Sequence, residues 1–109
     1  MKKEYRIKKT QEFQRIMQKK QYIACPSMVL YVDHKQQDWS RFGVSVSKKM
    51  GNAVVRNKIK RQIRMMLQET DFKNCLFDGI LIVRNRYSQQ NYSENKKDLE
   101  MCFKKVKIK

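Results

Sequence analysis

Hydrophobic positions along the 109-residue chain change their period several times, and each change marks an element. Phe13, Ile16 and Met17 fall at i, i+3 and i+4, which predicts a helix from Thr10, as N-cap, to about Lys20 with one apolar face. Pro26 then separates a short strand at Gln21–Ala24 from a better one at Ser27–Asp33, because proline cannot donate to a ladder. In the second strand Met28, Leu30 and Val32 share one face, and Val29 and Tyr31 the other. From Arg41 to Ser47, Phe42, Val44 and Val46 alternate with Gly43, Ser45 and Ser47, a strand with one apolar face and one of very small side chains. Gly51 supplies a turn, Asn52 an N-cap, and Val55, Ile59, Ile63, Met66 and Leu67 the stripe of a helix reaching about Glu69. Asp78-Gly79 reads as a turn. Ile80–Val83 is a continuous apolar run that suits an interior strand covered on both sides. Ser93 is the expected cap of a last helix, with Leu99, Cys102, Phe103 and Val106 facing the core.

The predicted order is α-β-β-β-α-β-α: an α/β (α+β) two-layer sandwich of one four-stranded mixed sheet and three helices. At this length one domain spanning residues 1–109 is expected, with residues 1–9 a loosely ordered basic segment.

Charge narrows the function. Lys and Arg number 26 against 10 acidic residues, a formal net charge of +16. A compact domain this cationic repels itself, and a polyanionic partner explains the excess better than stability does. No apolar stretch approaches a membrane span, the start MKKEYRIKK is charged, and no apolar leader core follows it. No membrane association is expected, and the location expected is the cytoplasm. Cys25, Cys75 and Cys102 are odd in number and far apart, and read as reduced thiols near the core.

The charge is unevenly placed. Between Asp38 and Glu69 no acid occurs, while Arg41, Lys48, Lys49, Arg56, Lys58, Lys60, Arg61 and Arg64 do. On the helix Asn57, Lys60, Arg61 and Arg64 fall at i, i+3, i+4 and i+7, with Arg56 at the edge of the same face. Solvated helix faces usually mix signs, since i,i+4 pairs of opposite charge are stabilising and like pairs are not. A purely cationic face beside a helix N-terminus, where free N–H groups favour anions, points to phosphate. Arginine adds bidentate clamping and stacking. The small Gly43/Ser45/Ser47 face would let a nucleotide backbone approach closely.

The run from Gly43 to Arg64 resembles the signature of the bacterial ribonuclease P protein subunit. Its hallmark Arg-Asn-x-x-Lys-Arg-x-x-Arg is met by Arg56, Asn57, Lys60, Arg61 and Arg64, preceded by Lys48, Lys49, Gly51 and Asn52. The likeness extends to Tyr5–Lys9, the Phe13 helix, Val29-Leu30-Tyr31 and Ile80–Val83. It implies a sandwich with a left-handed βαβ crossover, similar to a domain of a small-subunit ribosomal protein. It also implies two partners, a catalytic RNA and precursor tRNA, and no protein partner. In such a particle the RNA, with Mg2+, removes the 5′ leader, and the protein binds no cofactor itself. By resemblance, Lys48, Lys49, Asn52, Arg56, Asn57, Lys60, Arg61 and Arg64 contact the catalytic RNA. A cleft between the first helix and the sheet, with Phe13, Met17, Tyr31, Ser45 and Ser47, holds the leader. Tyr31 on the open sheet face suits stacking on an unpaired base. Phe13 fits a core position equally well. The resemblance departs at Met17, where relatives usually carry an aromatic, at Lys19-Lys20-Gln21, where a glycine is common, and at Cys25-Pro26-Ser27.

No arrangement in the sequence suggests catalysis by the protein. His34 is alone in a polar loop, and Asp33 and Asp38 flank it as ordinary surface acids. Two other readings share the composition: a ribosomal-type protein that only stabilises folded RNA, and a DNA-binding module reading the major groove with Arg56–Arg64. The small strand face and Tyr31 favour single-stranded RNA over the second of these, and no dimerisation seam is evident.

Overall fold

The computed structural model of the chain describes residues 2–70 and 75–106. Its elements are α1 (Thr10–Gln18), β1 (Tyr22–Ala24), β2 (Met28–His34), β3 (Phe42–Ser45), α2 (Ala53–Glu69), β4 (Phe77–Val83) and α3 (Tyr92–Lys105). The four strands form one sheet in the order β1-β2-β4-β3. β1 and β4 run antiparallel to β2, and β3 runs parallel to β4. Adjacent parallel strands need a long crossover, and α2 supplies it between β3 and β4.

Strand alternation divides the side chains between two layers. Met28, Leu30 and Val32 of β2, Leu81 and Val83 of β4 and Phe42 of β3 face α2 and α3. There they pack with Ile59, Ile63, Met66, Leu67, Leu99 and Cys102 in the main core. On the opposite face Ile80 packs with Ile16 of α1 and with Ile7, flanked by Phe13, Tyr31 and Ile82. The segment before α1 runs beside β3, where the Ile7 N–H donates to the Phe42 carbonyl at 2.9 Å. Met1, which opens the predicted N-terminal segment, lies outside the described residues.

Several local expectations are corrected. Asp78-Gly79 is no turn: both residues lie inside β4, and Asp78 is fully buried. Its Oδ1 accepts the Arg41 N–H at 2.9 Å and Gln37 Nε2 at 3.0 Å. Its Oδ2 lies 3.6 Å from Arg41 Nη2 and 3.9 Å from Arg15 Nη2. Arg41 also pairs with Glu12 of α1. Arg41 therefore belongs to a partly buried ion cluster that ties α1 to the sheet. Gly79 is needed because a Cβ there would stand 2.8 Å from the Phe42 ring and 2.9 Å from Leu30 Cδ1.

The caps shift as well. Lys9, with no side-chain cap bond, precedes α1, and Thr10 is its first helical residue. Asn91 rather than Ser93 caps α3, forming a reciprocal capping box with Glu94. Lys20 adopts a positive φ of 54° after α1, so it takes the left-handed backbone that a glycine would otherwise supply there. Cys25 and Cys102, expected as reduced thiols near the core, are both buried and lie side by side between the end of β1 and α3, with Cα atoms 6.5 Å apart. Beside them Asp98 of α3 accepts the Ser27 hydroxyl at 2.7 Å, a tie between the β1–β2 connection and α3.

Candidate nucleic-acid interface

The sequence leading into α2 shapes its N-terminus. After β3 the chain makes a short turn of 3-10 helix at Lys48–Met50, and Gly51 follows at φ 144°, a conformation that side-chain-bearing residues rarely adopt. Asn52 Oδ1 accepts the Val55 N–H at 3.0 Å and so caps α2 as expected. The helix turns Ile59, Ile63, Met66 and Leu67 into the core. Val55, expected on that stripe, is instead 40% exposed.

The other side of α2 carries Asn57, Arg61 and Arg64, which converge with Arg6 around one surface concavity. Burial, and then the nearby Arg6 guanidinium, lower the Arg64 pKa from the ordinary arginine value. Two guanidinium groups held close without a carboxylate between them favour an anion from outside the chain. Lys48, Lys49, Asn52 and Asn57 are exposed, and Arg56 is half-buried. Among the described residues the ion pairs are those of Arg15, Arg41 and Lys96, so no cation of this face is neutralised. Arg6 is the contributor that sequence reasoning missed. It was visible only as one basic residue among several before α1, and its short β-bridge to Phe42 is what brings it to α2.

A second concavity lies between α1 and β3. Lys8, Thr10, Phe13, Val44, Ser45, Val46 and Lys60 line it. Lys60, predicted as part of the helix face, thus stands at the mouth of this cleft. Phe13 is half-buried and packs over Gly43: a Cβ on Gly43 would lie 2.6 Å from the ring tip. The two readings of Phe13 therefore merge, since its ring contacts the small core cluster and also walls the cleft. Tyr31 is half-buried on the same sheet face, and Met17, one turn after Phe13, is 37% exposed. Ser47 does not join Ser45. It has left the strand, and its hydroxyl accepts the Lys49 N–H at 3.2 Å.

A model of the protein family described as Ribonuclease P matches residues 1–107. The chain belongs to the ribonuclease P protein family. It is 45% identical to the ribonuclease P protein component of Bacillus pumilus over 110 residues, covering 99% of this chain and 92% of that one. With the corresponding component of Mesoplasma florum it shares 43% over 95 residues, 85% of this chain and 86% of the relative. The solved ribonuclease P protein of Staphylococcus aureus superposes with a TM-score of 0.83 at 40% identity, covering 92% of this chain and 93% of that one. The Thermotoga maritima ribonuclease P protein, at 22% identity, shares the fold with a TM-score of 0.83 over 94% of this chain and 98% of that one. A ribonuclease P component is a tRNA-processing ribonucleoprotein subunit, and the α+β architecture with three helices and one mixed sheet is that of the family. Among the described residues no helix is long and apolar enough to cross a membrane.

Proposed function

We propose that the chain is the subunit that joins the catalytic RNA of ribonuclease P and helps it remove the 5′ leader from precursor tRNA in the cytoplasm. The observation that carries this reading is the uncompensated basic surface of α2, beside an aromatic cleft between α1 and β3 that Lys60 of the same helix also lines. Two surfaces of different chemistry suit two RNA partners. The first, with Lys48, Lys49, Asn52, Arg56, Asn57, Arg61 and Arg64, joined by Arg6, is built for backbone phosphates of a folded RNA. Asn52 contributes chiefly by capping α2, which leaves N–H groups of its first turn directed outward. The second, with Phe13, Met17, Tyr31 and Ser45 and with Lys8 and Lys60 at its mouth, is built for a single strand. There bases can stack on rings while lysines meet the phosphates.

Hydrolysis in this account belongs to the RNA and its Mg2+, and the protein contributes affinity and position. Reconstitution tests the proposal. The protein is mixed with a bacterial ribonuclease P RNA at low Mg2+, and leader release from precursor tRNA is followed. Marked stimulation over the RNA alone is expected. A folded protein that gives none would refute the assignment.

A further inference from the structure

We propose that Tyr22 is a specificity-determining residue of the cleft, pairing with Tyr31 to form a two-ring shelf that stacks a further unpaired base of the leader. The inference rests on the leader-binding role of the cleft given above. It adds a residue that neither the helix signature nor the cleft lining contains.

Register places the residues in one row across the sheet. Tyr22 pairs with Tyr31, Tyr31 with Ile80, and Ile80 with Gly43. All four point to the same face, because directly opposed residues do. Phe13 covers the Gly43 end of the row, where its ring meets Gly43 and Ile80. The other end is open: Tyr22 is 57% exposed on the edge strand, and Tyr31 is half-buried beside it. Their ring centroids are 5.3 Å apart with planes tilted by 39°. Three strand spacings separate β3 from β1, roughly 14 Å. That is several times the 3.4 Å or so between neighbouring nucleotides of a stacked strand. Ile80 in the middle of the row is fully buried beneath Ile16 of α1, so a strand that joins the Phe13 end to Tyr22 passes beside α1 and has further bases to place over that distance.

The alternative role for such a pair is a cross-strand contact that only stabilises the hairpin. Two features favour a ligand. A large aromatic ring more than half exposed on a short edge strand gains little from burial, yet presents a face for stacking. The exposed Lys19 and Lys20 stand three and two residues before Tyr22, so the approach to this edge is cationic and complements a phosphate backbone.

Holoenzymes reconstituted with wild-type protein, Tyr22→Ala, Tyr22→Phe, Tyr22→Leu and Tyr31→Ala decide the matter. Affinity is measured for mature tRNA and for precursors with a series of leader lengths. Tyr22→Ala and Tyr22→Leu are expected to weaken binding of long-leader precursors about fivefold, the lower end for loss of one stacked base. Mature tRNA and the shortest leader should be unaffected, and Tyr22→Phe should retain wild-type affinity. Leucine keeps apolar bulk on the hairpin without a π face, so it separates stacking from folding if the alanine variant melts early. Selective loss with Tyr31→Ala but none with Tyr22→Ala or Tyr22→Leu overturns the Tyr22 assignment alone. So does an equal loss for every RNA, which marks a structural pair. A wild-type holoenzyme that does not distinguish precursor from mature tRNA overturns the cleft's role and the shelf with it.

Discussion

Replacing Asp78 with alanine should be the most damaging single change on the α1 side of the sheet. Asp78 is fully buried, and its carboxylate accepts two hydrogen bonds while facing Arg41 and Arg15 at 3.6 and 3.9 Å. Removing it leaves the Arg41 backbone N–H and the Gln37 amide without their acceptor and Arg15 without its carboxylate in a poorly solvated place, while Arg41 keeps only Glu12. Breaking a buried ion pair from one side costs about 3–5 kcal/mol. The arginine side chains remain 19% and 31% exposed, so water recovers part of the loss and the lower end, about 3 kcal/mol, applies. For a domain of this size that corresponds to a fall in Tm of roughly 12 °C. Calorimetry of the wild-type and Asp78→Ala proteins measures it directly. Because the cluster ties α1 to the sheet, the variant should also lose discrimination between precursor and mature tRNA while still binding the catalytic RNA through α2. A Tm within about 3 °C of wild type would show that the cluster does not hold α1, on the same scaling.

Other outcomes follow from the same geometry. Gly43→Ala would place a methyl 2.6 Å from the Phe13 ring and 2.9 Å from Ile80 Cδ1. It should destabilise the fold by about 1–3 kcal/mol, read in urea unfolding, and displace Phe13 toward the cleft with weaker leader binding. Stability should also fall in strong alkali. Burial raises the Tyr87 pKa to about 12, and burial with the hydrogen bond to Glu69 raises that of Tyr92 to about 12. An unfolded tyrosine loses its proton near pH 10, so these groups leave stability unchanged below about pH 10 and weaken it from there up to about pH 12. Lys96, whose pKa the Glu69 hydrogen bond raises, adds a loss in the same direction. Phenolate absorbance should show a late-titrating component that Tyr87→Phe diminishes; titration of every tyrosine near pH 10 would contradict the burial argument.

What the sequence reveals of this fold is what is encoded locally. The helix α2 is legible because its apolar period, its Asn52 cap and the glycine before it all act within a few residues. The strands are legible because alternation reports burial on each face. Asp78-Gly79 misleads because the partners that make a buried aspartate tolerable, Arg41, Gln37 and Arg15, lie 37 or more residues away and come together only in the sheet. The juxtaposition of Cys25 and Cys102 across 77 residues is hidden for the same reason. Ser47 continues the alternating pattern of β3, yet capping the next turn wins over extending the strand. Charge periodicity points to the α2 face as a cationic surface, but it cannot reveal that Arg6 joins it or that Lys60 turns to the cleft.

Salt dependence of binding to the catalytic RNA tests the central assignment most directly. Each phosphate contact made by Arg61 or Arg64 releases counterions, so affinity should fall steeply with salt for the wild-type protein. Arg61→Ala and Arg64→Ala should each weaken binding and flatten the slope of log K against log salt by about 1, with the thermal transition little changed. An unchanged slope in both variants would contradict the proposal that this face of α2 holds the RNA.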